Sequence, residues 1–141
     1  MASDRAQKKP SADDFTNRLP EEIKPIWTDF IAFLVNGDGS IKDNYTYTDV
    51  IDCRINFLRG SRGRRRVLLR FVWRPELDQV QALTILSRSE IHERPPEGIA
   101  IQTIDRPPEA TRIRFKACCL KNEEVRGFFR GLLTKCKEKV V

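Results

Sequence analysis

The sequence predicts an α+β domain: an antiparallel sheet of about five strands, a meander with one long basic hairpin, flanked by an N-terminal and a C-terminal amphipathic helix. Three observations carry that prediction. Apolar residues step by three and four through 23–34 and again through 125–136, which is helical spacing. Between those segments, from Tyr47 onward, the apolar period drops to two. Breaks rich in Pro and Gly then recur at intervals of about a strand's length. The 141 residues are 40% hydrophobic and 33% charged, and a chain of that length buries roughly two-thirds of its unfolded surface in a single domain. Residues 1–12 hold few apolar groups and read as a flexible tail, which leaves 13–141 as one domain.

The elements follow in order. "SADDFTNRL" is a short helix capped by Ser11, with Asp13 and Asp14 where the positive end of the helix dipole favours acids. In "PEEIKPIWTDFIAFLV" the residues Ile23, Ile26, Trp27, Phe30, Ile31 and Leu34 form one stripe, and Pro20 and Pro25 suit the entry to that helix. "NGDGS" ends it. This stretch has the look of an EF-hand centre, but aligning Gly39 as the sixth loop position puts Leu34 first and Tyr45 twelfth, and neither is a carboxylate. A helix-terminating turn is the better reading.

Two alternating runs follow. Ile51, Cys53, Ile55 and Phe57 share one parity, as do Val67, Leu69, Phe71 and Trp73 beyond the tip "RGSRGRRR". A hairpin centred on Arg62 pairs residues whose numbers sum to 124, which sets apolar against apolar throughout and Arg54 directly against Arg70. Arg66, Arg70 and Arg74 then share the outer row. Like charges facing each other across strands cost a few tenths to about 1 kcal/mol, and Asp52 is placed to relieve only part of that. Pro75 breaks the second strand. "RPPEGIAI" (94–101) and "RPPEATRI" (106–113) repeat at a twelve-residue offset and mark turns, so further strands are expected near 80–90, 98–105 and 111–119. The last strand sends Arg112, Arg114 and Lys116 to one side. A closing helix starts at the N-cap Asn122 and buries Val125, Phe128, Phe129, Leu132, Leu133 and Cys136. Gly127 and Gly131 weaken it by about 1 kcal/mol each, which a close approach to the sheet would explain.

Charge is concentrated in one place. Residues 54–74 hold eight arginines and no acid, in a chain of net charge +6. Without those eight, 18 basic residues face 20 acidic ones, so a mildly acidic body carries one intensely basic segment. Lysine would serve solubility equally well, whereas arginine adds a planar fork that grips phosphate with two hydrogen bonds. The expected function is therefore a non-enzymatic binding module that contacts nucleic-acid phosphates, RNA or DNA, with little sequence specificity. The candidate residues are Arg54, Arg59, Arg62, Arg64, Arg65, Arg66, Arg70 and Arg74, extended by Arg112, Arg114 and Lys116. The aromatic residues Phe57, Phe71 and Trp73 fall on the core parity, which leaves no evident platform for stacking bases.

The alternative is a protein-interaction or scaffold domain whose basic face docks an acidic protein or a lipid headgroup. Strands followed by a C-terminal amphipathic helix, with a basic loop joining the first two strands, resemble the pleckstrin-homology plan in topology over about residues 47–140. That resemblance implies phosphoinositide binding. A third possibility is one subunit of a larger complex, held through its apolar helices.

Enzyme chemistry finds little material. His92 is the one histidine and sits beside "ERPPE", in a loop. No P-loop glycine pattern occurs, and no cofactor or metal is implied. The paired acids Asp13/Asp14, Glu21/Glu22 and Glu123/Glu124 fall at helix starts, where the dipole accounts for them. The four cysteines lack CxxC spacing and read as reduced thiols. "MASDRAQKKP" contains no apolar run and no segment is long enough to span a bilayer, so an intracellular protein, nuclear or cytoplasmic, is expected.

Overall fold

The computed structural model describes residues 9–47, 50–59, 64–104 and 110–141, with only the backbone of Arg59, Ile104 and Ala110. Residues 1–8 of the expected tail lie outside that set. The elements are α1 (Ala12–Thr16), α2 (Lys24–Val35), β1 (Ile41–Tyr47), β2 (Ile51–Arg59), β3 (Arg64–Arg74), β4 (Gln79–Thr84), β5 (Ala100–Ile104), β6 (Ala110–Phe115) and α3 (Glu123–Val140), with short 3-10 turns at Pro75–Leu77, Arg88–Glu90 and Ala117–Lys121. The six strands form one antiparallel sheet in the order β1-β2-β3-β4-β6-β5. The α+β class therefore holds, with six strands instead of five and a helix segment at each end.

Local chemistry sets the helix starts. The Ser11 hydroxyl accepts the Asp14 N–H at 3.2 Å, and the Asp14 carboxylate accepts the Ser11 N–H at 2.7 Å, so two otherwise orphaned donors are satisfied together. Pro25 stands in the first turn of α2, where its missing N–H costs nothing. Beyond Asn36 the chain turns through Gly37 at φ +88°, a conformation a side chain would resist. The Asn122 side chain accepts the Glu124 N–H at 2.7 Å and opens α3.

The helices cover one face of the sheet, and aromatic rings hold the two layers together. Phe71, at the centre of β3, lies 5.4 Å from the Trp27 ring, 5.6 Å from Phe30 and 5.7 Å from Phe129. Phe115 on β6 reaches Phe129 at 5.0 Å. Edge-to-face and tilted contacts of this kind add about 0.5–1.5 kcal/mol per pair beyond the area they bury. Cys53 and Cys136 are buried and all four cysteines are free thiols. Burial pushes the Cys136 thiol up to about 11, so it packs as a small hydrophobe beside the Thr84 hydroxyl, 3.1 Å away.

Four differences from the expected elements have physical causes. The additional strand, β1, reads "IKDNYTY" and puts only Ile41 and Tyr45 into the core, with the half-buried Asp43 between them. An edge strand needs no more apolar content than that, so its alternation is faint. β4 stops at Thr84: the Thr84 hydroxyl accepts the Leu86 N–H at 3.2 Å and the Thr111 hydroxyl donates to the Leu86 carbonyl at 2.8 Å. The backbone of Leu86 is thus satisfied by side chains and not by a ladder. β6 ends at Phe115, because Ala117 and Leu120 reach the core from a 3-10 turn. The last two strands are not in simple meander order either, since β6 and not β5 pairs with β4. The second RPPE turn, at 106–109, lies outside the described residues.

Gly127 and Gly131 do not serve a close approach to the sheet. A Cβ built on either would meet no atom within 4 Å. Replacing each by alanine should therefore stabilise the protein by about 1 kcal/mol, because only the helix propensity changes. Urea unfolding of Gly127→Ala and Gly131→Ala checks this, and a loss of stability would show that the space beside α3 is needed.

Three lysines pin the end of α3 to the rest of the chain: Lys135 to Glu93 at 2.7 Å, Lys137 to Asp38 at 2.6 Å and Lys139 to Glu90 at 2.6 Å. Lys137, with help from Ser40, holds the Asp38 carboxyl well below its ordinary value. Lys139 and then the Ser87 N–H bring Glu90 down to about 2 from an ordinary 4.5. A carboxylate depressed in the folded state stabilises the fold above its unfolded value and loses that contribution as pH falls towards the folded one. Stability should accordingly drop between pH 4.5 and about 2. These pairs are partly exposed, so each contributes at most about 1 kcal/mol. Lys139→Met should flatten the Glu90 part of the drop in acid-unfolding curves.

Candidate nucleic-acid interface

The face of the sheet turned away from the helices carries the arginines, and strand register places them. One row crosses all six strands through Asn44, Arg54, Arg70, Leu83, Arg112 and Gln102. The neighbouring row runs through Thr46, Asp52, Val72, Gln81, Arg114 and Ala100. Arg54 stands directly across from Arg70, as the parity of the sequence requires. No aromatic ring of the described strands is on this face: Tyr45, Tyr47, Phe57, Phe71, Trp73 and Phe115 all share the core parity.

The opposed arginines are held by one carboxylate. Asp52, fully buried, accepts from the Arg54 Nε at 3.1 Å, from the Arg70 Nε at 2.7 Å and from the Thr46 hydroxyl. The two stems lie over the acid, and each guanidinium commits its inner nitrogen to it. The terminal nitrogens of both arginines bond to nothing among the described residues. The trio keeps a net charge of +1, and Asp52 relieves more of the Arg54–Arg70 repulsion than the sequence suggests. On the same face the Arg114 Nη2 donates to Gln102 Oε1 at 2.6 Å, while its buried Nε has no partner among the described residues. Arg112 is half-buried, with no carboxylate partner among the described residues. Arg74 pairs through Nε with Glu76 at 2.8 Å.

The expected single basic row does not survive intact. Between Ile55 and Asn56 the β2–β3 register shifts by one, from Ile55↔Leu69 to Asn56↔Val67, and Leu68 is the extra residue. Both Leu68 and Leu69 are fully buried, so this bulge turns two consecutive side chains into the core. Beyond it the parity of β3 is reversed. Arg66 now opposes Phe57 and shares the helix side with it, and Val67 takes the outer face beside Asn56. Arg66 is thus not in one row with Arg70 and Arg74. Arg65 faces outward opposite Leu58, and Arg64 opposes Arg59. Arg64, Arg65 and Arg66 are all exposed without a carboxylate partner among the described residues. The side chain of Arg59 and the whole of Arg62 lie outside the described residues. Lys116 is exposed just past the end of β6.

Nine of the eleven candidate residues therefore divide by position. Arg54 and Arg70, with Arg112 and Arg114, share the outer face; Arg64, Arg65 and Arg66 stand on both faces of the hairpin end; Arg74 and Lys116 lie at the far ends of β3 and β6. The sequence places Asp52 to relieve part of the repulsion, and the structure adds that it is fully buried and bonds to both arginines at once. In the sequence the bulge falls within the continuous apolar run "VLL" at 67–69, which satisfies either parity. Among the described residues no group of His, Cys, Asp or Glu is placed to hold a metal ion, and no helix is long and apolar enough to cross a membrane.

Asp52→Asn should cost about 1–3 kcal/mol in urea unfolding, since it removes the charge that two arginines share at a buried position. A change below ~0.5 kcal/mol, the ordinary scatter of surface substitutions, would show that Arg54 and Arg70 turn to water without penalty. Comparison of the chain with known protein families, with curated proteins and with solved structures finds no match.

Proposed function

We propose that the chain is a non-enzymatic binding module that contacts nucleic-acid phosphates through the arginine-rich end of the β2–β3 hairpin. The observation that carries this reading is the set Arg64, Arg65 and Arg66, exposed, unpaired with any carboxylate among the described residues and turned alternately to the two sides of a narrow ribbon. β4 leaves β3 at Leu69↔Thr84, and β1 leaves β2 at Ile41↔Phe57, so the hairpin end projects as two strands. A groove of a duplex about 12 Å wide admits a two-stranded ribbon and presents phosphates on both walls. Arginines on both faces suit such a setting better than they suit a flat surface. The terminal nitrogens of Arg54 and Arg70, with Arg112 and Arg114, extend positive charge along the outer face. With no ring of the described strands on that face to stack on a base, the contacts are to backbone and the sequence preference is low.

A salt series tests the reading. Titrating the protein against a random-sequence duplex and a random-sequence single strand should give log K falling linearly with log salt. Changing Arg62, Arg64, Arg65 and Arg66 together to Ser should reduce the slope by about 2–4, roughly one for each phosphate no longer neutralised. No measurable binding to either strand form at ~50 mM salt sinks the proposal; binding of phosphoinositide vesicles in its place would favour the headgroup alternative.

A further inference from the structure

Past the bulge, one edge of β3 has no strand partner among the described residues. β4 pairs with β3 only as far as Leu69↔Thr84, whereas β3 runs on to Arg64. In an antiparallel pair, every second residue turns its N–H and C=O away from its partner strand. Over Arg64–Val67, whose other edge is paired with β2, those groups point to where β4 has already left. Next to this edge the Cys136 thiol makes a weak donation to the Leu68 carbonyl, at 3.6 Å. The opposite side of the hairpin is better covered, since the Leu58 N–H donates to the Ser40 carbonyl at 2.7 Å.

A cleft of about 460 Å³ opens beside the bare edge, with Val67, Leu68, Leu83 and Ile85 as apolar lining and Arg66 and Arg70 as cationic lining. Ser87, Glu90 and Lys139 close its far side, and Lys139 is engaged by Glu90 and by the Ile85 carbonyl, at 3.1 Å. The volume is within the range of sites that hold a ligand. Unpaired strand groups beside an apolar cleft are the two parts of strand-addition recognition: main-chain hydrogen bonds give affinity, and a pocket for alternate side chains gives specificity.

We propose that this edge is a docking site for an extended acidic peptide segment of a partner protein, which adds as a strand along Arg64–Leu68 and seats one apolar side chain between Val67, Leu83 and Ile85. Charge selects the occupant. Arg64, Arg65, Arg66 and Arg70 border the edge, and Glu90, the one carboxylate among the described residues of the cleft, is already paired with Lys139. A second copy of this chain joined edge to edge would set arginines against arginines, which strand pairing disfavours. A segment that alternates Asp or Glu with Val or Ile matches both the charge and the cleft. The site does not depend on the nucleic-acid reading, because its backbone groups and apolar walls play no part in phosphate contact.

The probe is a fluorescently labelled peptide, Glu-Val-Asp-Val-Glu, with two partners: the same peptide N-methylated at alternate amides, in each of the two phases, and a lysine version of reversed charge. Anisotropy should show binding of the plain peptide at concentrations up to about 1 mM, a loss of roughly tenfold for one N-methylated phase and little change for the other. The lysine version should not bind. Leu83→Asp should weaken the peptide and leave urea stability near that of the parent, and amide hydrogen exchange over 64–67 should slow in the complex. If both N-methylated peptides bind as well as the plain one, only charge is being read and the strand-addition proposal is wrong. It is equally wrong if no peptide binds while a random-sequence oligonucleotide does, in which case the phosphate reading stands alone. Self-association of an Arg64, Arg65, Arg66→Ser variant without peptide binding by the parent would show that the arginines merely guard the edge, and also overturns the proposal.

Discussion

The arrangement of the basic surface depends on one extra residue in a ladder. Leu68 has no partner on β2, and its insertion puts two leucines into the core in succession. On the Arg74 side of it, β3 obeys the parity that sets Phe71 against Cys53 and Arg70 against Arg54. On the Arg64 side, the parity is reversed. Without the bulge Arg66 would stand on the outer face and Arg65 on the helix side; the bulge exchanges the two. Three consecutive arginines on a strand reach both faces in either register, and the bulge decides which of them shares the outer face with Arg54 and Arg70. The bulge also falls next to the residues where β4 departs, so the cleft and the unpaired stretch of strand edge lie beside it.

That arrangement rests on the rigidity underneath. Phe71 is gripped by rings from both α2 and α3, and β3 is fixed at its midpoint by these contacts. The outer face above it is not a loose collection of long side chains. A buried carboxylate and two guanidinium groups form a network in which each charge meets its opposite, and the hydroxyl of Thr46 fills the remaining acceptor capacity. Paired charge at a sheet surface is usually worth little, but here the acid is wholly withdrawn from water, which raises the cost of leaving it alone. The result is arginines whose positions are set before any ligand arrives.

The parts of this fold governed by strong periodicity are legible in the sequence. The stripe 23–34, the stripe 125–136 and the half of the hairpin register nearer Ile51 and Trp73 all follow from counting threes, fours and twos, and the structure has them. The pairing of Arg54 with Arg70 is readable for the same reason. The bulge is not, because "VLL" satisfies either parity: an apolar run looks the same whether its residues alternate across a sheet or two of them turn inward together. β1 escapes notice since an edge strand with Lys42, Asp43 and Asn44 in its middle lacks the apolar content that marks a strand. The exchange of β5 and β6 is a property of the connection from β4 to β5, residues 85–99, which carries the chain past the place that β6 takes, and it leaves no trace in local composition. Asp52 illustrates a different limit. The register read from the sequence puts it near the opposed arginines, but its full burial and its bonds to both of them depend on side-chain packing that no local pattern encodes.

The way Arg54 and Arg70 are held has one more consequence. Each reaches Asp52 through Nε, the nitrogen nearest its stem, and leaves its other two nitrogens without a partner among the described residues. A guanidinium can act as a strut and as a contact at once because its donors point in different directions from one plane. An ammonium gathers its three donors on one nitrogen, so a lysine that reached the acid would hold its whole charged group there. At Arg54 and Arg70 the choice of arginine is thus architectural: the same side chain is a foundation through one nitrogen and keeps two more nitrogens uncommitted.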